Sequence, residues 1–274
     1  MDYLEYIIEI ENPDNKEIII ALLNNLGFNG FIEENNIIKA YTNTTDNKVY
    51  EHEIQTILKG HKFIINRIKP TNWNKLWESS YNPVVIDNNC VIRASFHNNN
   101  SQNYEYDIII DPKMAFGTAH HETTQLMISS MMQMDFSGKK VADIGCGTGI
   151  LSILAEKKGA KKIDAVDIDE AAYKSCIENI NSNKCIKIQC LHGNIDKLSD
   201  SLYDIILANI NRNTIIEQLP EYSKLLSNNG SLLISGIFKQ DMDLINPAAI
   251  DAGFILYDIK EKNNWVSVLF IKNH

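Results

Sequence analysis

The chain has 274 residues, of which 44% are hydrophobic and 22% are charged. This composition is typical of a globular protein, and the length indicates one large domain or two modest ones, because single hydrophobic cores rarely grow beyond about 250 residues. The formal net charge is -9. A chain this acidic offers no broad cationic surface to a phosphate backbone, so a basic or amine-bearing partner is favoured over nucleic acid.

The sequence lacks the features of an exported or membrane-bound protein. Residues 1–14 contain acidic side chains but no Lys or Arg, unlike the basic start of a secretory signal. The longest aliphatic run, residues 18–23, is far shorter than the ~20 apolar residues that span a bilayer. Because the five cysteines form no Cys-x-x-Cys pair, we expect neither a disulfide framework nor a metal site, and a cytoplasmic location. They are Cys90, Cys146, Cys176, Cys185 and Cys190.

Residues 1–70 are predicted to form a small α+β unit. Apolar residues alternate from Leu4 to Ile10, the period of a strand with one buried face, and they recur at helical spacing over residues 15–26. A hairpin turning at residues 35–36, a helix over residues 46–58 and a strand over residues 63–68 follow. The order β-α-β-β-α-β is the ferredoxin-like arrangement. With 7 Lys and Arg against 11 Asp and Glu, this unit is not expected to bind RNA.

Residues 71–103 are predicted to connect this unit to the rest of the chain. Strand-like runs at residues 84–86 and 91–92 indicate that the connector is partly ordered, because bare loops of this length are uncommon in compact domains. Trp73 and Trp77 lie four residues apart. We interpret them as the packed face of a short helix, in preference to a surface that stacks on substrate.

From residue 104 to residue 274, strands alternate with helices, which predicts a mostly parallel α/β sheet. The last two strands are separated by a short turn, so one of them must run antiparallel. A doubly wound sheet with an antiparallel C-terminal hairpin is expected. The predicted strands cover residues 107–110, 141–144, 162–167, 186–190, 203–210, 231–237, 254–259 and 265–271, and the helices residues 122–134, 150–158, 170–182, 213–226 and 241–252.

The glycine-rich turn at residues 143–149 reads Asp-Ile-Gly-Cys-Gly-Thr-Gly between a buried strand and a helix. A dinucleotide-binding turn requires Gly-x-Gly-x-x-Gly, and no Lys or Arg is present here to neutralise phosphates. Asp143, two residues before the first glycine, suits a cationic ligand group. Asp167, 22 residues after Gly145, stands where a carboxylate binds ribose hydroxyls. A nucleoside with a cationic group and no phosphate describes S-adenosylmethionine.

The segment from Asp111 to Thr124 reads Asp-Pro-Lys-Met-Ala-Phe-Gly-Thr-Ala-His-His-Glu-Thr-Thr, and Ala-Asn-Ile follows the predicted fourth strand at residues 208–210. With the glycine loop, these motifs resemble the ribosomal protein L-eleven methyltransferases, the PrmA family. The resemblance covers nearly the whole chain. It implies a Rossmann-like class I methyltransferase domain over residues 104–274, preceded by the ferredoxin-like substrate-recognition domain over residues 1–70.

The resemblance also implies the reaction and its residues. S-adenosylmethionine would donate methyl groups to lysine side chains and the N-terminal α-amine of the ribosomal protein. The acidic composition and the short apolar runs predict no nucleic-acid or membrane partner. The cofactor contacts of the family fall on Thr124, Gly145, Asp167 and Asn209 in this sequence, and Asn209 would also lie at the methyl-transfer centre.

Two residues depart from the family pattern. Ala119 replaces a glycine, which is compatible with the loop if Ala119 keeps a negative φ. Glu122 replaces a common proline and is interpreted as a favourable charge in the first turn of a helix. His121 is expected to hydrogen-bond at the start of that helix, and Cys146 is expected to be a small residue facing the sheet core.

Two other functions remain open from the residues. One is a class I methyltransferase that acts on RNA or a small molecule, which the acidic first unit disfavours. The other is a nicotinamide-dependent oxidoreductase or a nucleotide sensor, which the glycine spacing disfavours.

Overall fold

The chain divides between Tyr81 and Asn82 into two separately packed units. The computed structural model describes residues 3–10, 15–68, 81–97, 104–111, 117–198 and 202–273. The predicted helix containing Trp73 and Trp77 lies outside the described residues. The second unit begins 22 residues before the expected start at residue 104.

The first unit is an antiparallel sheet of four strands with helices in the order β-α-β-β-α-α-β. The strand order is β2-β3-β1-β4. Its elements are β1 (Tyr3–Glu9), α1 (Lys16–Asn24), β2 (Phe28–Glu34), β3 (Ile37–Asn43), α2 (Thr44–Val49), α3 (Glu51–Ile57) and β4 (Lys62–Ile68).

The alternation predicted for the first strand is confirmed, because Tyr6, Ile8 and Ile10 are buried in the core of this unit. The hairpin is also confirmed, with Asn35 in the left-handed region at φ 48°. The single helix predicted over residues 46–58 is wrong. The segment forms two short helices, α2 and α3, which meet at Tyr50, a residue with a non-helical φ of -110° and ψ of 19°.

The second unit contains a seven-stranded sheet with the order β10-β9-β8-β11-β12-β14-β13. The first five strands in this order are parallel, and β14 runs antiparallel to both of its neighbours, so the predicted C-terminal hairpin is confirmed. The strands are β8 (Lys140–Ile144), β9 (Lys162–Asp167), β10 (Ile188–His192), β11 (Tyr203–Asn209), β12 (Leu226–Phe238), β13 (Phe254–Lys262) and β14 (Trp265–Lys272).

Five helices accompany this sheet in the described part of the unit, close to their predicted positions. They are α4 (Glu122–Met132), α5 (Ile150–Lys157), α6 (Glu170–Ser182), α7 (Arg212–Leu225) and α8 (Met242–Asp251). In α4, α6 and α7, the side chain of the residue just before the helix accepts a hydrogen bond from a backbone N–H of the first turn. These N–H groups would otherwise lack a partner at the start of the helix.

A separate three-stranded sheet is formed by β5 (Val84–Ile86), β6 (Cys90–Arg93) and β7 (Tyr106–Ile109). The strand predicted over residues 107–110 therefore pairs with β6 and is not part of the seven-stranded sheet. Ile86 and Ile92 are buried in the same apolar cluster as the residues around the glycine loop. Residues expected in the connector thus complete the core of the second unit.

None of the helices in the described ranges has the length and hydrophobicity needed to cross a bilayer.

We predict that a truncated chain of residues 82–274 folds, whereas residues 104–274 do not form a cooperative domain. Burying one isoleucine side chain contributes about 1.5–3 kcal/mol, and loss of Ile86 and Ile92 together approaches the 5–15 kcal/mol that stabilises a typical domain. Urea unfolding of both chains followed by circular dichroism tests this. Equal unfolding midpoints for the two chains would contradict it.

Candidate functional site

The glycine loop lies at the carboxyl end of β8 and is held against the neighbouring strand. The N–H groups of Gly145 and Cys146 both donate to the carbonyl of Val166 in β9, at 2.9 and 3.1 Å. Gly145 has a φ of +70°, and a Cβ there would lie 2.3 Å from Ile210 Cγ2. A side chain at this position is therefore excluded both by backbone conformation and by space.

Asp143 does not face the ligand side of the loop, contrary to prediction. It is 1% exposed, and its Oδ2 accepts hydrogen bonds from the N–H and the hydroxyl of Ser152 at 3.1 and 2.6 Å. Burial raises the pKa of Asp143 to about 7, although the bonds from Ser152 act in the opposite direction. The side chain therefore links the end of β8 to the first turn of α5.

A cavity of about 450 Å³ opens beside the loop at the carboxyl ends of β8, β9 and β11. This edge of a parallel sheet is where open α/β folds place ligands. Gly145, Asp167 and Asn209 line the cavity, whereas Thr124 is not among its described lining residues. The lining also includes Gly147, Asp169, Gly193, Asn194, Ile195, Asn211, Thr214 and Gln218.

Asp167 is the last residue of β9, and its carboxylate is oriented by the backbone on both sides. Gly147 N–H donates to Oδ2 at 2.9 Å, and Asp169 N–H donates to Oδ1 at 3.0 Å. Each carboxylate oxygen has a further lone pair. The group can therefore accept two more hydrogen bonds from a ligand in the cavity, as a ribose with two hydroxyls requires.

Asn209 is the last residue of β11 and contacts Thr124, which is 1% exposed. Asn209 Nδ2 donates to Thr124 Oγ1 at a long 3.5 Å. Its Oδ1 is buried and finds no hydrogen-bond partner among the described residues. An unsatisfied buried acceptor costs about 1–3 kcal/mol. A ligand that supplies an N–H or O–H donor at this point would recover that energy, so the residues fit a ligand with polar groups.

Comparison with known proteins identifies the family. Residues 8–273 match the family described as Ribosomal protein L11 methyltransferase (PrmA). The chain belongs to this family. The resemblance of the glycine loop and the preceding segment to the PrmA family is thereby confirmed.

Relatives within this family match the chain along its length. The ribosomal protein L11 methyltransferase of Phocaeicola vulgatus is 35% identical over 283 aligned positions, covering 99% of both chains. That of Bacteroides thetaiotaomicron is 36% identical over 263 positions, covering 93% of both chains. A crystal structure of ribosomal protein L11 methylase from Lactobacillus delbrueckii subsp. bulgaricus covers 71% of this chain and all of that chain, with 26% identity and a TM-score of 0.64.

The second unit therefore has the Rossmann-like class I methyltransferase fold, and the protein is a methyltransferase. A methyltransferase from Pyrococcus furiosus, 19% identical with a TM-score of 0.52, covers 61% of this chain and 90% of its own chain and shares this fold.

Within the segment that resembles the PrmA motif, Asp111 and residues 117–124 are described, and Pro112 to Phe116 lie outside the described residues. The carbonyl of Gly117 accepts from Thr148 Oγ1 at 2.6 Å, which joins the segment to the glycine loop. Ala119 adopts a φ of +65°, so the condition of a negative φ is not met. The left-handed conformation costs a non-glycine residue about 1–2 kcal/mol, and the bond from Gln125 Nε2 to Ala119 O at 2.8 Å helps to hold it.

His121 and Glu122 have the structural roles that the sequence indicated. His121 Nδ1 accepts from Thr123 N–H at 3.3 Å at the start of α4, and its ring packs edge-on against Trp265 with centroids 4.9 Å apart. Glu122 lies in the first turn of α4 and accepts a hydrogen bond from Asn263, which lowers the pKa of its carboxyl. Neither residue is among the described residues that line the cavity.

Asn211 and Gln218 line the cavity but were not singled out in the sequence. Asn211 follows β11 and caps α7 by accepting from Thr214 N–H at 3.0 Å. Gln218 Nε2 donates to Asn194 Oδ1 at 3.3 Å, across the cavity wall that contains Gly193. The signal that could have identified Asn211 is a capping residue directly after a strand whose end faces the ligand edge.

We predict that Gly145→Ala destabilises the protein more than Gly138→Ala. Both glycines have a φ near +70°, but nothing lies within 4 Å of a Cβ at Gly138. Gly138→Ala should therefore report only the backbone cost of about 1–2 kcal/mol, whereas Gly145→Ala adds a clash with Ile210 worth about 1–3 kcal/mol. Denaturant unfolding of both variants measures the difference, and equal destabilisation would refute the close contact.

Proposed function

We propose that this methyltransferase transfers methyl groups from S-adenosylmethionine to amino groups of the large-subunit ribosomal protein L11, at lysine side chains and the N-terminal α-amine. Membership of the L11 methyltransferase family supports the substrate. The observation that most supports a ligand site is the buried Asn209 Oδ1, which lacks a hydrogen-bond partner among the described residues. Asn209 lines the same cavity as Asp167. A ribosomal-protein substrate also supports a cytoplasmic location.

Four residues, Thr124, Gly145, Asp167 and Asn209, would hold the cofactor. Asp167 would accept the ribose hydroxyls, Gly145 would let the loop pass close to the methionine portion, and Thr124 would orient Asn209 through their shared hydrogen bond. When bound, S-adenosylmethionine supplies an electrophilic methyl group on a sulfonium.

The acceptor amine must be neutral before it can react. Removing a proton from lysine at pH 7 costs about 4.6 kcal/mol, because its reference pKa is ~10.4. Burial against the apolar lining, which includes Ile144, Val166 and Ile210, disfavours the charged amine and reduces this cost. The proton is then lost to solvent, and no side chain of the cavity has to take it.

Asn209 would act by positioning. Its amide does not titrate near neutral pH, but Oδ1 can accept an N–H from the incoming amine and so orient the nitrogen lone pair. Correct orientation of two reactants can supply several kcal/mol of the rate enhancement. We therefore assign Asn209 to the transfer centre as a residue that orients the amine.

The first unit would be a ferredoxin-like domain that recognises the protein substrate. Its element order and its strand order, β2-β3-β1-β4, support the ferredoxin-like assignment. Its excess of acidic residues suits a lysine-bearing surface. The same excess disfavours an RNA substrate, for which a cationic surface would be required.

We predict that label from radioactive S-adenosylmethionine enters purified protein L11 and not ribosomal RNA.

Asp167→Ala should weaken cofactor binding in calorimetry by roughly 10- to 100-fold, the effect of losing charge-assisted hydrogen bonds. Asp251→Ala is the matched control, because Asp251 is exposed at the end of α8, outside the cavity.

Label in RNA, or in neither substrate, would contradict the proposed function. Unchanged cofactor binding by Asp167→Ala would contradict the ribose assignment alone.

A further inference from the structure

Three cysteines that are far apart in sequence come together behind the glycine loop. The sulfur atoms of Cys146, Cys176 and Cys190 all lie within 4.8 Å of one another. The three residues are separated by 30 and 14 positions, so no metal-binding sequence motif predicts this cluster of cysteines. Cys146 belongs to the glycine loop, Cys176 to α6 and Cys190 to β10, and the packing of these three elements assembles the cluster.

The spacing of the sulfur atoms suits a shared metal ion. A tetrahedral ion with metal–sulfur bonds of about 2.3 Å requires sulfurs roughly 3.8 Å apart. Separations of at most 4.8 Å can therefore close around an ion with shifts of about 1 Å or less. A disulfide would require two of the sulfurs to approach to about 2.05 Å and would leave the third unused.

The surroundings favour an ion held by sulfur. Cys146 and Cys176 are buried in the main apolar cluster of the second unit, away from bulk solvent. Cys190 is half-buried on the outermost strand of the sheet, so an ion can reach the site from that side. Close packing also fixes Cys176, since a Cβ at Gly149 would lie 2.7 Å from its sulfur.

Cys185 lies outside the cluster, although it is half-buried like Cys190. The two residues therefore differ in their neighbours rather than in their exposure.

We propose that Cys146, Cys176 and Cys190 form a structural site for a thiophilic divalent ion of the zinc class. Three thiolates and a divalent ion leave a net charge of about -1, which costs less to bury than the -2 left by a monovalent ion such as Cu(I). Binding releases the thiol protons to solvent. The bound ion joins the glycine loop to α6 and β10, and so stabilises the loop whose Gly145 and Gly147 line the cavity.

Metal titration of the full chain tests the site. Reduced protein, freed of metal by chelation, is titrated with Zn²⁺ against a chromophoric chelator and with Co²⁺ to detect thiolate-to-cobalt charge-transfer absorption. We expect one equivalent to bind with a sub-micromolar Kd and to raise the midpoint of thermal unfolding. Cys176→Ser and Cys190→Ser should each weaken binding by at least about 100-fold, because each removes one of three ligands.

Cys185→Ser is the matched control and should bind metal like the wild-type chain. Cys190→Ser, at a half-buried position, keeps the test independent of folding defects at the fully buried Cys176. Absence of stoichiometric binding by the wild-type chain would overturn the proposal. Binding that survives unchanged in both cluster variants would also overturn it, since the ion would then lie elsewhere.

Discussion

Ile210 is the residue around which the ligand edge of the methyltransferase unit is arranged. A Cβ at Gly145 would lie 2.3 Å from its side chain, and a Cβ at Gly236 would lie 2.2 Å from its carbonyl oxygen. Ile210 therefore sits between two chain segments that can approach it only as glycine. This contact brings the ends of β8, β11 and β12 together and sets one wall of the cavity.

The polar groups of the site depend on the same arrangement. Once the glycine loop is fixed against β9, Gly147 N–H is directed at Asp167 and orients its carboxylate. Asn209 immediately precedes Ile210 and is held beside Thr124 of α4. The loop, two strand ends and one helix thus each contribute a polar group. Asn209 Oδ1, which lacks a hydrogen-bond partner among the described residues, is the atom proposed to meet the reacting amine.

Much of this arrangement could be predicted from the sequence, because it follows local patterns. The alternation at Tyr6 and Ile8, the helical spacing in α1 and the glycine loop each follow from a short-range constraint, and the structure contains all three. Family motifs led to Asp167 and Asn209, and the structure brings both to one cavity.

The features that could not be predicted depend on long-range packing. The sequence pattern of β7 is like that of the other predicted strands of the α/β sheet. Its pairing with β6 depends instead on an apolar core that includes Ile86. The φ of Ala119 is set by contacts with Gln125 rather than by its own preference. The hydrogen bond of Asp143 to Ser152 and the proximity of Cys176 to Cys190 also depend on tertiary packing. No spacing along the sequence predicts them.

The most direct test of the site is a crystal structure of the full chain with S-adenosylhomocysteine, the product left after methyl transfer. The predicted result is a nucleoside in the cavity with both ribose hydroxyls within hydrogen-bonding distance of Asp167 and with the sulfur end of the ligand next to Asn209. A ligand bound elsewhere, or a ribose that does not contact Asp167, would contradict the assignment of the glycine-loop edge as the cofactor site.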